Sequence, residues 1–180
     1  MSRAPYLALG VRDGLRLGHG KIVDSMIYDG LWDPYGDQHM GNCAEICARH
    51  YSFTREEQDA FARESYARAR RAQESGLSAR EIVAVEVPGR KGPTVVDKDE
   101  EPGKADLDRM PSLKPAFEKD GTVTAANASK IDDGGAALVL TTAATAKRRG
   151  LKPIGRLLAQ ASFAQKPEWF TTAPVGAMKK

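Results

Sequence analysis

The sequence predicts an α/β fold, and three observations carry that expectation. Val83, Val85 and Val87 share one face of residues 81–87, the period-two pattern of a strand. Thr54 and Glu57 have the spacing of a capping box at the head of a long helical stretch. Residues 135–141 form a continuous apolar run, as expected of a strand buried on both faces. Strands that alternate with helices indicate layered α/β architecture.

The elements follow in chain order. Residues 1–40 are rich in turn signals: Asp13-Gly14, His19-Gly20, Asp29-Gly30 and Asp33-Pro34. The same stretch carries Leu31, Trp32, Tyr35 and Met40, so it reads as a long loop packed on something and functional. A short helix is expected over residues 41–50. A longer one is expected over 54–75, with Phe61, Ser65, Ala69 and Ala72 at helical spacing, Tyr66 beside them and Gly76 as the stop. After the strand at 81–87, Gly89, Gly92 and Pro93 mark a turn, and Thr94-Val95-Val96 returns as a second strand. Residues 97–109 are a mixed-charge loop containing Pro102-Gly103, and Lys119-Asp120-Gly121 is a turn. Residues 122–129 are small and β-prone. Thr142 caps a short helix that ends at Gly150, and another β-like segment begins near Ile154.

Composition bounds the function. The 180 residues are 41% hydrophobic and 28% charged, ordinary for a soluble globular chain and long enough for a core without staples. The 27 Lys and Arg against 24 Asp and Glu give +3, too little for a dedicated nucleic-acid binder. The first residues lack a charged region followed by an apolar run, so no signal peptide is expected. The run Ala136-Ala137-Leu138-Val139-Leu140 is too short to span a bilayer. Two cysteines, Cys43 and Cys47, fit a reduced cytosolic compartment.

Few side-chain sets suggest chemistry by themselves. Cys43, Cys47 and His50 share a helical face, but a structural zinc site needs four ligands and the chain adds only His19 and His39. No metal is expected there. Lys147, Arg148 and Arg149 complement a helix C-terminus. Lys98, Lys104 and Arg109 form a solvated loop that becomes an anion clamp beside a phosphate-bearing ligand. Asn127-Ala128-Ser129 and Gly134-Gly135 permit close backbone approach by a ligand, or simply tight packing.

Gly121-Thr122-Val123-Thr124-Ala125-Ala126-Asn127-Ala128-Ser129, followed by Asp132-Asp133-Gly134-Gly135-Ala136-Ala137-Leu138-Val139-Leu140, resembles the thiolase family, specifically its acetyl-CoA acetyltransferases. Asp29-Gly30-Leu31-Trp32-Asp33, His39-Met40-Gly41, Ala44-Glu45, residues 54–62 and Leu113-Lys114-Pro115-Ala116-Phe117 match in the same order. The resemblance covers essentially the whole chain. It implies an incomplete thiolase-like α/β fold with an inserted α+β loop domain that binds coenzyme A. The loop domain would be residues 1–121. Residues 122–150 would end the N-terminal thiolase domain, and 151–180 would begin the C-terminal one.

By the same resemblance, His39 and Met40 flank the pantetheine tunnel and Tyr66 lies near the nucleotide end. Lys104, Ala105, Asp106 and Arg109 hold the adenine and phosphates. Phe117 walls the pocket, and Ala125 and Ser129 contact the pantetheine arm. Some members bind potassium through a tyrosine at the position of Tyr66 and carbonyls at Ala125, Ala126 and Ala128. Departures are Ile46 for a usual Asn, Lys130 for a frequent Gly, and Arg109 where many members have Ser.

The family's nucleophilic cysteine stands in a Cys-x-Ser-Gly context, and its other catalytic motifs are Asn-Glu-Ala-Phe, Gly-His-Pro and Cys-Gly-Gly-Gly. None occurs here. Neither Cys43 nor Cys47 matches a catalytic cysteine, so no catalytic residue is assigned in this chain. The implied activity is acetyl-CoA C-acetyltransferase, with coenzyme A or acetyl-CoA as substrate and no permanently bound cofactor. CoA thioesters are the expected partners. Nucleic acid and membrane are not, and the longer protein is expected to be a cytoplasmic homo-oligomer in fatty acid metabolism. The alternative is a non-catalytic CoA-binding or interaction remnant.

Overall fold

In the computed structural model, which describes residues 1–15 and 17–180, the capping box forms as its spacing predicts. Glu57 N–H donates to Thr54 Oγ1 at 3.1 Å, and Thr54 N–H donates to the Glu57 carboxylate at 2.9 Å. They open helix α2, Arg55–Glu74. Its exit is set by Gly76 at φ +75°, a conformation that suits glycine. Thr54→Ala removes the side-chain half of the cap. It is expected to cost about 1 kcal/mol, read as a lower thermal midpoint.

The buried face of α2 differs from the apolar stripe. Phe61 is 82% exposed, whereas Asp59 and Ala62 are buried. The helix turns toward its neighbours a face carrying Arg55, Asp59, Ala62, Tyr66 and Arg70, and polar contacts decide its rotation. Helix α1, Met40–Tyr51, spans the expected 41–50 and buries Cys43, Glu45 and Ala48.

The strands are short antiparallel pairs. In order they are β1 Tyr6–Ala8, β2 Ile22–Asp24, β3 Trp32–Asp33, β4 Gln38–His39, β5 Val85–Val87 and β6 Thr94–Val96. β1 pairs with β2, β3 with β4 and β5 with β6. Residues 1–40, read as loop, thus contain two antiparallel pairs. A π-helical turn, Met26–Leu31, joins β2 to β3. In the β3–β4 hairpin, residues 34–37 form the loop, Asp37 takes φ +50°, and its carboxylate accepts from Trp32 Nε1 at 3.1 Å.

Later elements are α3 Glu101–Lys104, α4 Ala143–Arg148 and α5 Ala173–Lys179. Thr142 caps α4 as expected, its Oγ1 accepting from Thr145 N–H at 3.2 Å.

The chain divides into two compact units, Met1–Cys43 with Lys130–Lys180, and Ala44–Ser129. In the second, Ala48, Ala62, Met110 and Val123 are buried, together with polar Glu45, Asp59 and Thr124. No described helix is long and apolar enough to cross a membrane.

Three expected strands are absent. Residues 135–141 pair with no described strand, and Leu138, Val139 and Leu140 are at least 80% exposed. The segment near Ile154 is likewise irregular and open, with Ile154 fully exposed. A strand needs a neighbour for its N–H and C=O groups, and these segments have none among the described residues. Residues 122–129 form turns, because side chains rather than another strand take up their backbone groups.

Candidate functional site

The second unit is built around α2, and its arginines bind main-chain carbonyls. Arg55 donates to Met110 O at 2.7 Å and Leu113 O at 3.1 Å. Arg63 donates to Leu107 O. Arg70 donates to Pro102 O at 2.8 Å and Ala105 O at 2.7 Å, and Gln73 donates to Asp99 O at 2.7 Å. Positions 55, 63, 70 and 73 lie along one helical face. A planar guanidinium offers several donors to carbonyls that no regular element satisfies. One face of α2 therefore holds the irregular stretch from residue 99 to 113.

That stretch carries four of the candidate residues. Lys104 ends α3 and pairs with Glu100 at 2.6 Å. The Glu100 carboxylate raises the Lys104 pKa, and Lys104 lowers that of Glu100. Both side chains are mostly exposed, so the pair is weak and open to competition by a phosphate. Ala105 is held through its carbonyl by Arg70. Asp106 Oδ1 accepts from the N–H groups of Asp108 and Arg109 at 3.2 Å each, which shapes the turn bearing Arg109. Lys104, Asp106 and Arg109 are all exposed.

The segment 122–129 is held from two helices. Glu45, 1% exposed, accepts from Thr122 N–H at 2.8 Å, Thr122 Oγ1 at 2.9 Å and Val123 N–H at 2.7 Å. Asn127 accepts from Thr124 N–H at 2.7 Å, and donates to Thr122 O at 3.0 Å and Asp59 at 2.9 Å. Ala125 and Ser129 are left exposed on this braced turn. Tyr66 donates from its hydroxyl to Ala126 O at 3.3 Å. Phe117 is half-buried on the strip before the turn.

His39 and Met40 belong to the other unit, where β4 passes into α1. His39 Nδ1 accepts from Gly41 N–H at 2.9 Å. Cys43 is fully buried there, and burial, then the Asp33 charge, raises its thiol pKa. It lacks the thiolate character a nucleophile needs. Asp33 is itself 2% exposed, with one oxygen accepting from Tyr35 N–H at 3.0 Å and the other without a partner among the described residues.

Sequence reading named the exposed residues and missed their supports. The arginine spacing of α2 was a usable signal. Glu45 gave none, because its donors lie far along the chain.

Residues 1–144 match the family profile "Thiolase, N-terminal domain". The chain belongs to the thiolase family. The thiolase chain is 48% identical over its whole length to Acetyl-CoA acetyltransferase 2 of Arabidopsis thaliana, and 49% identical to an acetyl-CoA acetyltransferase of Pseudomonas aeruginosa. It spans 45% and 46% of those proteins, somewhat under half their length. Its fold matches the Acat5 thiolase of Ascaris suum, solved in complex with coenzyme A. The TM-score is 0.86 at 40% identity, covering 99% of this chain and 45% of that one. An acetyl-CoA acetyltransferase of Syntrophomonas wolfei gives the same TM-score at 39% identity. The expected family and the partial thiolase-like α/β fold both stand.

Proposed function

We propose that this thiolase chain supplies the CoA-holding part of an acetyl-CoA C-acetyltransferase. The single observation that carries the reading is the braced surface of the second unit. It presents Lys104 and Arg109 on a carbonyl-riveted loop, and Ala125 and Ser129 on a side-chain-braced turn. The first suits the phosphates of coenzyme A, where cations make strong charge-assisted hydrogen bonds. The second suits a thin pantetheine arm, because small exposed residues leave room beside the backbone. Tyr66 and Phe117 add ring surface. Relatives named as acetyl-CoA acetyltransferases and a neighbour complexed with coenzyme A support the same ligand.

The chemistry divides accordingly. In such a reaction one cysteine takes the acyl group from the thioester, freeing coenzyme A as thiol. A second base removes a methyl proton from acetyl-CoA, and the resulting carbanion attacks the acyl-cysteine carbonyl. Cys43, buried with a raised pKa, is unsuited to either step. This chain's residues would bind and orient the thioester, which lowers the entropic part of the barrier. The exposed run Leu138-Val139-Leu140 supports a role alongside further polypeptide that covers it.

Calorimetric titration of the chain with coenzyme A tests the binding. The expected results are saturable binding, weakened by added salt, and no acetyl transfer by the chain alone. Absence of binding overturns the reading, and thiolysis by the isolated chain overturns the division of labour. In the native polypeptide carrying this sequence, Ser129→Ala is expected to raise the acyl-CoA KM about threefold to tenfold. An unchanged KM removes Ser129 from the site.

A further inference from the structure

Two side chains, buried Glu45 and half-buried Asn127, control the turn that the candidate site uses. Residues 122–129 make no strand pairing, so their placement depends on the groups that take up their backbone hydrogen bonds. Glu45 reaches from α1 and receives Thr122 N–H, Thr122 Oγ1 and Val123 N–H. Its carboxylate lies so close to Gly121 that a Cβ there would meet its Cδ at 2.9 Å. Asn127 closes the turn from within, between Thr124 N–H and Thr122 O, and ties it to Asp59 on α2. The Asp59 carboxylate is fixed in turn by Arg55 at 2.8 Å. These contacts converge on residues 122–124, Asn127 anchors the next part of the turn to α2, and Ala125 and Ser129 stand beside these anchored residues.

We propose that Glu45 and Asn127 are positioning residues for the pantetheine arm. They set where Ala125 and Ser129 stand, without touching the ligand. The proposal rests on the CoA-binding reading above. It goes beyond that reading by separating the two halves of the ligand. The loop bearing Lys104 and Arg109 is held by Arg63, Arg70 and, at its far end, Arg55, none of which bonds to Glu45 or Asn127, so disturbing Glu45 or Asn127 affects the arm and spares the nucleotide.

The test compares dissociation constants of the 180-residue chain for coenzyme A and for adenosine 3′,5′-bisphosphate, which lacks the arm. In Asn127→Ala, coenzyme A is expected to weaken about tenfold while the bisphosphate stays within about twofold. Glu45→Gln keeps one carbonyl acceptor for the amides. It is expected to lose about threefold on coenzyme A alone. If Asn127→Ala fails to fold, Glu45→Gln decides by the same ratio. Equal weakening of both ligands, or no change in either variant, overturns the proposal and leaves the CoA-binding reading standing. A wild-type chain that binds neither ligand, or binds coenzyme A no better than the bisphosphate, overturns the arm-binding reading and this proposal with it.

Discussion

Gly121→Ala is expected to destabilise the second unit by about 3 kcal/mol, combining overpacking with loss of buried hydrogen bonds. The added methyl would collide with a Glu45 carboxylate oxygen and lie 3.2 Å from Glu118 O. Glu45 cannot swing aside without releasing the N–H groups of Thr122 and Val123. The glycine here serves close approach rather than an unusual backbone conformation. Gly134→Ala is the matched control, since nothing lies within 4 Å of a Cβ at that position. Urea unfolding of the three proteins gives the comparison. A Gly121→Ala midpoint equal to that of Gly134→Ala would show that Glu45 has room to move.

Arg55→Ala is expected to cost about 3 kcal/mol, the lower end for breaking a buried ion pair from one side. Arg55 and Asp59 are 18% and 7% exposed at their side chains, so water screens them little. Removing the guanidinium leaves Asp59 with the Asn127 amide among the described residues, and takes the guanidinium donors from Leu113 O and from Met110 O, which keeps Leu113 N–H at 3.2 Å. The double variant Arg55→Ala/Asp59→Asn removes the orphaned charge as well. It should be more stable than Arg55→Ala alone, which reads the coupling directly. Proteolysis adds a local measurement, because release of the carbonyls at 110 and 113 should expose that loop to cleavage. A double variant no more stable than the single one would show that the carbonyl contacts, and not the ion pair, dominate.

Both effects arise where polar side chains replace regular secondary structure. Among the described residues the buried apolar set of the second unit is small, with two alanines, one methionine, one valine and one proline. Buried carboxylates and arginines therefore carry much of its specificity. This architecture suits a ligand-holding surface, because irregular loops expose functional groups while the braces below keep them fixed.

Much of this was legible in the sequence where the cause is local. The capping box at Thr54, the stop at Gly76 and the cap at Thr142 depend on residues within a few positions, so spacing alone reveals them. The valine alternation yields β5 for the same reason, though the strand begins at Val85 and leaves Val83 outside it. The thiolase resemblance was also legible, since an ordered set of short segments needs no coordinates. The α2 rotation was not. Its apolar spacing pointed to Phe61, yet the helix buries Asp59, because the partners that choose its face lie about fifty to seventy residues away.

The sequence by itself determined the family, helices α1, α2 and α4 and the β5–β6 hairpin, whereas α3 and α5 gave no sequence signal that was read. Tertiary structure decided that residues 122–129 are a braced turn and that 135–141 find no strand partner among the described residues. It alone assigned work to Glu45, whose donors stand 77 and 78 positions downstream. Local signals act through backbone geometry over a few residues. A buried carboxylate is tolerated only when distant donors arrive around it, and that arrival is a property of the fold.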